Sequence, residues 1–285
     1  MSKCWCGSGL DYEVCHREFD KKINYYKKRG VMTPPRSMIK NQQQIEGIKK
    51  AAVVNNGLLD HIEKNIKIGM STEDIDVLTR EYLKEHNAHS ADLNYEGYPK
   101  SICTSINDVV CHGIPSSDVI LKDGDIINVD ATSELNGYYA DASRMFMMGN
   151  VSDEAKKLVK ITKEAMYEGM KAIKPWKNHI GDIGKAIQRY AHINGYSVVE
   201  EFCGHGIGMT MHEDPYVFHF KTKEDTVLIV PGMVFTIEPM LNQGTRHVHL
   251  NYNDDWTVYT DDGKLSAQWE HTFLVTEDGV EIISK

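Results

Sequence analysis

The stretch that most restricts this chain runs from Asp125 to Met147. Ile126, Ile127 and Val129 read as a β-strand, Leu135-Asn136-Gly137 as a turn, and Tyr138 to Met148 as a returning strand. Asn and Gly adopt positive φ cheaply, so a tight hairpin is the expected connection. Asp130 and Asp141 fall on the two strands, where carboxylates are poor strand formers and unusual core residues. Facing one another they would repel unless a cation lay between them. Alone, the hairpin fits two solvated strand-face residues equally well, so the choice rests on the rest of the chain.

The N-terminal segment carries a second concentration of metal-binding chemistry. Cys4-x-Cys6-Gly7-Ser8-Gly9 followed by Cys15-His16 gives three thiols and an imidazole, a set suited to one structural, tetrahedral Zn²⁺. The glycines allow the tight turns that such short spacings need. Residues 17–36 are charged, end in Thr33-Pro34-Pro35 and read as a linker. The organisation expected is therefore a knuckle over residues 1–22, a linker over 23–36 and one domain over 37–285.

In that domain, Ile45, Ile48, Ala52, Leu58, Leu59 and Ile62 recur at helical spacing. Ser71-Thr72-Glu73-Asp74 is a helix start of the capping-box type, with Asp in place of Glu. Residues 101–111 read as strands around the turn Asn107-Asp108. Two further helices are expected, one from the N-cap Ser152 to Ile173 and one from Gly181 to Asn194. Beyond Val198 the chain is strand-rich, around Ile207, Val227–Ile229, Val234–Ile237, Trp256–Tyr259 and His271–Val275. Asp74-Ile75 and Asp182-Ile183 open helices at comparable places, which suggests two related αβ halves around a shared site.

Composition narrows the function classes. A net charge of −9 and a pI near 5.8 argue against direct reading of nucleic acid by a basic surface. No apolar run approaches the ~18–20 residues of a membrane span, so no membrane role is expected. The N-terminus lacks a signal-peptide pattern, and the six cysteines are read as reduced thiols, so a cytoplasmic location is expected.

Three landmarks in the strand-rich half complete the pattern: Cys203-Gly-His205-Gly-Ile-Gly208, Phe235-Thr-Ile-Glu238-Pro239 and Gln268-Trp-Glu270-His271-Thr272. With Asp130 and Asp141 they supply four carboxylates and one imidazole, which suits two divalent ions sharing bridging carboxylates. Together with Tyr95-Glu-Gly-Tyr98-Pro-Lys-Ser-Ile-Cys103, Cys111-His112-Gly-Ile-Pro, Met211-His212-Glu-Asp-Pro and Leu265-Ser266-Ala-Gln268, the chain from about Ser37 to Lys285 resembles type I methionine aminopeptidases. The N-terminal group resembles the SEC-C motif.

The resemblance implies the α+β pita-bread fold, a curved antiparallel sheet backed by helices with internal pseudo-two-fold symmetry. It implies a dinuclear site of Asp130, Asp141, His205, Glu238 and Glu270, filled by Mn, Fe, Co or Zn. The reaction implied is removal of the initiator methionine from nascent chains, with a small second residue preferred, by attack of a metal-bridging hydroxide. Glu238 would shuttle the proton, His212 would contact the carbonyl oxygen, and His112 the scissile nitrogen. Tyr95, Tyr98, Cys103, Met211 and Trp256 would line the methionine pocket. Asn107, Val109 and Ser266 match a Na or K site of relatives. The knuckle would dock on the ribosome or another nascent-chain factor, and a monomer is expected. Met209-Thr210-Met211 departs from the pattern of many relatives, which have a basic residue first and Phe last; Met keeps the position apolar and adaptable. Proline-directed aminopeptidases and creatinases share the fold, but usually add a large N-terminal domain. A non-catalytic binding protein of this fold would have lost ligands, and all five are present here.

Overall fold

A computed structural model describes residues 2–285. In chain order its helices are α1 (Tyr12–Cys15), α2 (Arg17–Lys27), α3 (Gln42–Asn65), α4 (Thr72–Glu85), α5 (Asp153–Lys171) and α6 (Ile180–Ile193). The strands before α5 are β1 (His89–Ser90), β2 (Cys103–Ile106), β3 (Val109–Cys111), β4 (Ile126–Leu135) and β5 (Tyr138–Met147). After α6 come β6 (Ser197–Val198), β7 (Gly204–Gly206), β8 (Glu213–Val217), β9 (Val234–Ile237) and β10 (Met240–Asn242). The last are β11 (Val248–Leu250), β12 (Val258–Thr260), β13 (Ser266–Gln268), β14 (His271–Val275) and β15 (Val280–Ser284).

The β4–β5 hairpin anchors the first half, and its turn is as expected: Asn136 and Gly137 have φ of 54° and 80°. The pairing register sets Asp130 opposite Ser143 and Asp141 opposite Thr132. The two aspartates therefore share a face but sit diagonally, not directly opposite, which separates their Cβ atoms by up to ~7–8 Å. β2 and β1 flank β4, while β15, β14, β9, β7 and β8 form the corresponding sheet of the second half. All the strand pairs described are antiparallel. β2 and β3 do not pair with each other across the Asn107-Asp108 turn; β2 joins β4 and β3 joins β12.

Helices cover one side of these sheets, and their starts show the repeat at atomic level. The Asp74 carboxylate accepts from the Ser71 amide at 2.8 Å, and the Asp182 carboxylate from the His179 amide at 2.9 Å. Each N-cap also bridges an extended segment, Ser71 to Ile120 and His179 to Leu228. α3 and α4 pack Leu58, Leu59, Ile62 and Ile75 on Ile127 and Val129 of β4, whereas α5 and α6 pack Leu158, Met166, Ile183 and Ile187 on Phe235 and Phe273. α3 also fills the seam between the halves, with Ile48, Ala51 and Ala52 against Ile207, Val234 and Leu274. At Gly47 a Cβ would run into the Tyr138 ring, so only glycine lets α3 lie this close to the hairpin.

Two expectations need correction. Val227–Ile229 forms no strand: Leu228 makes one bridge, and the segment is extended because it must pass beneath the start of α6. The region read as a linker is helical through Lys27 and does not hang free. Phe19, Ile23 and Tyr26 face the main core, the Phe19 and Trp176 rings lie 5.2 Å apart, and the Tyr26 hydroxyl donates to the Trp176 carbonyl at 2.6 Å. These apolar residues recur at helical spacing within a charged segment, and burial of that one stripe outweighs the segment's overall polarity.

Candidate active site and N-terminal cysteine cluster

The site is assembled where the two halves meet. Ser143 and Glu270 exchange backbone hydrogen bonds, each at 3.2 Å, so a residue of β5 is joined to the chain entering β14. Thr272 strengthens the same seam, its hydroxyl donating to the Asp141 carbonyl at 2.7 Å. These contacts bring Asp141 and Glu270 together although they are far apart in sequence. His205 enters from β7. Its Nδ1 lies 3.0 Å from the Gly206 carbonyl, which holds the proton there and leaves the Nε2 lone pair facing the carboxylates. Nε2 is 3.8 Å from Asp141 Oδ2 and 3.6 Å from Glu238 Oε1.

One donor atom from each of Asp141, His205 and Glu270 falls within 4.8 Å of the others. Two donors bound to one ion at ~2.0–2.2 Å are roughly 3–4 Å apart, so this spacing fits shared coordination. Asp141 Oδ1 and Glu270 Oε1 are buried and have no hydrogen-bond partner. An ionised carboxylate oxygen left thus is costly, and a cation is the partner that would satisfy it.

Without a cation, the carboxylates oppose one another's ionisation. Burial, then repulsion from Asp130 and the neighbouring acids, holds Asp141 well above the usual carboxylate range; burial and Asp141 do the same for Glu270. Burial raises Asp130 to about 6, and burial with the Asp130 charge raises Glu238 to about 8. The imidazoles move the other way. Burial takes His205 down to about 3, His112 to about 4, and also lowers His212. All three are therefore neutral near pH 7, the form in which a histidine can ligate a metal.

A cavity of about 430 Å³ opens onto these groups. It is lined by Asp130, Asp141, His205, Glu238 and Glu270, and equally by Tyr95, Tyr98, Cys103, His112, Met211, His212 and Trp256. The structure thus gathers every residue expected at the metal site and the methionine pocket around one space. The Tyr98 ring meets Trp256 edge-on at 5.1 Å, and its hydroxyl lies 3.1 Å from the carbonyls of Ile102 and Gly113. His112 has a φ of 56° and stands between the rings of Phe202 and Trp256. His212 Nδ1 lies 2.7 Å from the Tyr95 hydroxyl, and its ring is edge-on to His205 at 4.3 Å.

Some residues of the site had not been singled out. Asp92, Thr132, Phe202, Cys203, Tyr216 and Met240 also line the cavity. Thr132 was within reach of sequence reasoning, since it is two residues from Asp130 on the same strand face. His219, fully enclosed, accepts the Glu238 amide on Nε2 at 3.1 Å, and nothing in the sequence marked it. Asn107 and Ser266 meet through a Ser266 amide to Asn107 carbonyl bond of 2.8 Å, with Val109 on the same turn. The Asn107 side chain is spent on Asp125 and the Ile126 amide.

At the N-terminus, Cys4, Cys6, Cys15 and His16 form the other metal-capable group among the described residues. Cys6 and Cys15 sulfurs are 3.7 Å apart, and His16 Nδ1 is 3.2 Å from Cys4 and 3.1 Å from Cys15. Zn–S bonds of ~2.3 Å in a tetrahedron set sulfurs roughly 3.7 Å apart, so the group fits Zn²⁺.

The sequence profile of metallopeptidase family M24 matches residues 46–277, four-fifths of the chain. The chain belongs to metallopeptidase family M24. The SEC-C motif profile matches residues 2–18. Among M24 relatives, methionine aminopeptidase A of Synechocystis is 48% identical over 244 residues, covering 86% of this chain and 96% of that one. Escherichia coli K12 methionine aminopeptidase is 45% identical over 247 residues, covering 86% and 93%. The crystal structure of methionine aminopeptidase from Rickettsia prowazekii superposes with a TM-score of 0.84 at 43% identity, over 87% of this chain and 99% of that one. The fold described above is accordingly the pita-bread fold of M24 enzymes, and the reaction is that of a methionyl aminopeptidase: hydrolytic removal of the initiator methionine.

Proposed function

We propose that Asp130, Asp141, His205, Glu238 and Glu270 would hold two divalent ions, and that Glu238, His212 and His112 act on the substrate. The observation that carries this reading is the pair of partnerless buried oxygens, Asp141 Oδ1 and Glu270 Oε1, converging with His205 Nε2. Bound divalent ions would supply an acidified water and polarise the scissile carbonyl. Mn, Fe, Co and Zn all suit these ligands.

The chain's own residues do the remaining work. Glu238 takes the proton of the attacking water and delivers it to the leaving amine. Its Oε1 accepts from Thr236 at 2.8 Å, and its Oε2 faces the Gln268 amide at 3.3 Å, which fixes the carboxylate. With the Tyr95 hydroxyl 2.7 Å from His212 Nδ1 and acting as donor, the His212 proton would sit on Nε2, ready for the carbonyl oxygen as its charge grows. His112 faces the scissile nitrogen. Tyr95, Tyr98, Cys103, Met211 and Trp256 enclose the methionine side chain. The carboxylates line the same cavity as the pocket residues, so the free amine of the first residue would lie beside the metal ligands, which would limit removal to one residue. A small second residue is preferred. Asn107, Val109 and Ser266 would hold a Na or K ion.

The knuckle, with one Zn²⁺, would serve as the docking element for the ribosome. Charge favours the stretch that follows the knuckle: residues 1–22 hold four Lys and Arg against four Asp and Glu, residues 23–36 hold four against none, and residues 37–285 hold twenty-four against thirty-seven. With an acidic body behind it, the basic stretch beside the knuckle is the part that would face a polyanion. Among the described residues no helix is long and apolar enough to cross a membrane, and the cytoplasm is the compartment where initiator methionines emerge. The test is metal content and Met-Gly-Met hydrolysis of protein purified without chelators. Three divalent ions per chain and released methionine are expected; one ion per chain with full activity would overturn the dinuclear assignment.

A further inference from the structure

The loop bearing His212 is held from an unexpected direction. Glu213 follows His212, and its Oε1 accepts the amides of Met209 at 2.7 Å and Thr210 at 3.0 Å, closing the loop between β7 and β8 on itself. Its other oxygen, Oε2, is paired with the Lys40 ammonium. Both side chains are withdrawn from water, Lys40 at 3% exposure and Glu213 at 16%. Lys40 comes from the segment just before α3, and its own amide donates to the Gly232 carbonyl at 2.9 Å. Its aliphatic stem runs under Gly208, where a Cβ would strike Ile48 and approach Lys40 Cε at 3.3 Å. The last glycine of the Gly-His-Gly-Ile-Gly run thus makes room for this anchor.

An ion pair so buried contributes little net stability, because desolvation of both charges offsets their attraction. What it does provide is a fixed geometry. With Oε1 spent on the loop and Oε2 on Lys40, Glu213 fastens the His212 backbone to the helical layer behind α3. A donor that must meet a developing charge is effective only when held in place before the reaction.

We infer that Lys40 and Glu213 are positioning residues for catalysis, fixing the His212 loop so that its imidazole meets the substrate carbonyl in the transition state. The inference rests on the proposed role of His212, and it extends to the knuckle. Asn41, the next residue, caps α3 by accepting the Gln44 amide at 2.8 Å and donates to the Cys6 carbonyl at 2.5 Å. A cleft of about 300 Å³ between Trp5, Cys6, Arg36, Lys40, Met209 and Glu213 separates the knuckle from the loop. The brace on His212 is therefore continuous with the seat of the knuckle.

The test is a double-mutant cycle on Met-Gly-Met hydrolysis. Lys40→Met should lower kcat by ~10-fold with KM nearly unchanged, and should cost nothing further in His212→Ala, because the donor it positions is already gone. An equal loss in both backgrounds, or an effect on KM alone, would overturn the inference. If the His212→Ala protein retains wild-type kcat, it is the role of His212 that fails. Lys40→Met leaves a buried carboxylate unpaired, so Lys40→Met/Glu213→Gln is run beside it: the Gln oxygen still accepts both loop amides, without a buried charge. That protein should melt near the wild type and still show the kcat loss. Hydrogen exchange gives a readout independent of turnover. The Met209 and Thr210 amides should exchange ~10-fold or more faster in Lys40→Met, and unchanged protection there would also overturn the inference.

Discussion

The two metal-capable sites of this chain are built in opposite ways. The carboxylates around the cavity come from segments up to 140 residues apart, from Asp130 on β4 to Glu270 just before β14, and rest on a core packed from apolar side chains. The knuckle draws its four donors from residues 4–16, with one helical turn and a single backbone bridge, Lys3 to Asp11, between them. In the first, the fold makes the site and pays in repulsion among buried acids. In the second, the donors are close in sequence with little regular structure between them, so a bound ion would be expected to supply much of the fold. Loss of metal should therefore leave one region folded and inactive, and the other unfolded.

Asp141→Asn should break the catalytic side most completely. Turnover should vanish and bound divalent metal fall, while the circular dichroism of the body persists; near-normal activity with full metal content would sink the ligand assignment. His212→Ala is next, with kcat lower by ~10²–10³ and metal retained, the usual cost of one transition-state donor. A change in KM alone would make His212 a binding residue only.

Proton linkage sharpens the contrast further. In the metal-free protein Asp130 and Glu238 have folded pKa values of about 6 and about 8, above the ordinary carboxylate values they regain on unfolding. The folded state thus holds extra protons, and this contribution to stability is full below pH ~4 and is lost as pH rises from there, by about 6 for Asp130 and about 8 for Glu238. Each extra proton is worth ~1.4 kcal/mol per pH unit. The metal-free Tm should fall between pH 6 and 9, by an amount that Glu238→Gln reduces. A metal-free Tm that rises across that interval would remove the account of mutual repulsion.

Cys6→Ser should release one ion per chain and open residues 2–16 to proteases while the body melts as before. A common melting shift of head and body would erase the distinction between them. The smallest effect on catalysis belongs to the basic stretch beside the knuckle. Lys27 and Lys28 are exposed and make no ion pair among the described residues. Replacing both with Glu should leave peptide turnover unchanged and weaken ribosome co-sedimentation in a salt-dependent way. Unchanged sedimentation would remove the docking role.

Much of this was legible in the chain because the signals were local. Asn136-Gly137 gave the hairpin, Ser71 with Asp74 the start of α4, and Ser152 the start of α5. The ligand set needed a pattern of motifs, since no periodicity connects Asp141 with Glu270. What escaped was tertiary. Val227–Ile229 signalled burial, and burial without a neighbouring strand is not a β-ladder. The charge of residues 17–27 masked a buried stripe whose partner, Trp176, lies 150 residues from Tyr26. His219 and Lys40 act through Glu238 and Glu213, and neither pairing leaves a spacing to read.

The Ser143–Glu270 exchange across the seam also bears on how the enzyme is made. As the chain is synthesised, Asp130 and Asp141 emerge on a hairpin that still lacks the strand bearing Glu270. Until Glu270 arrives, the group of acids that would draw in a cation is incomplete. A chain cut before Glu270 should therefore bind less divalent metal and release no methionine, since one of the proposed ligands is missing.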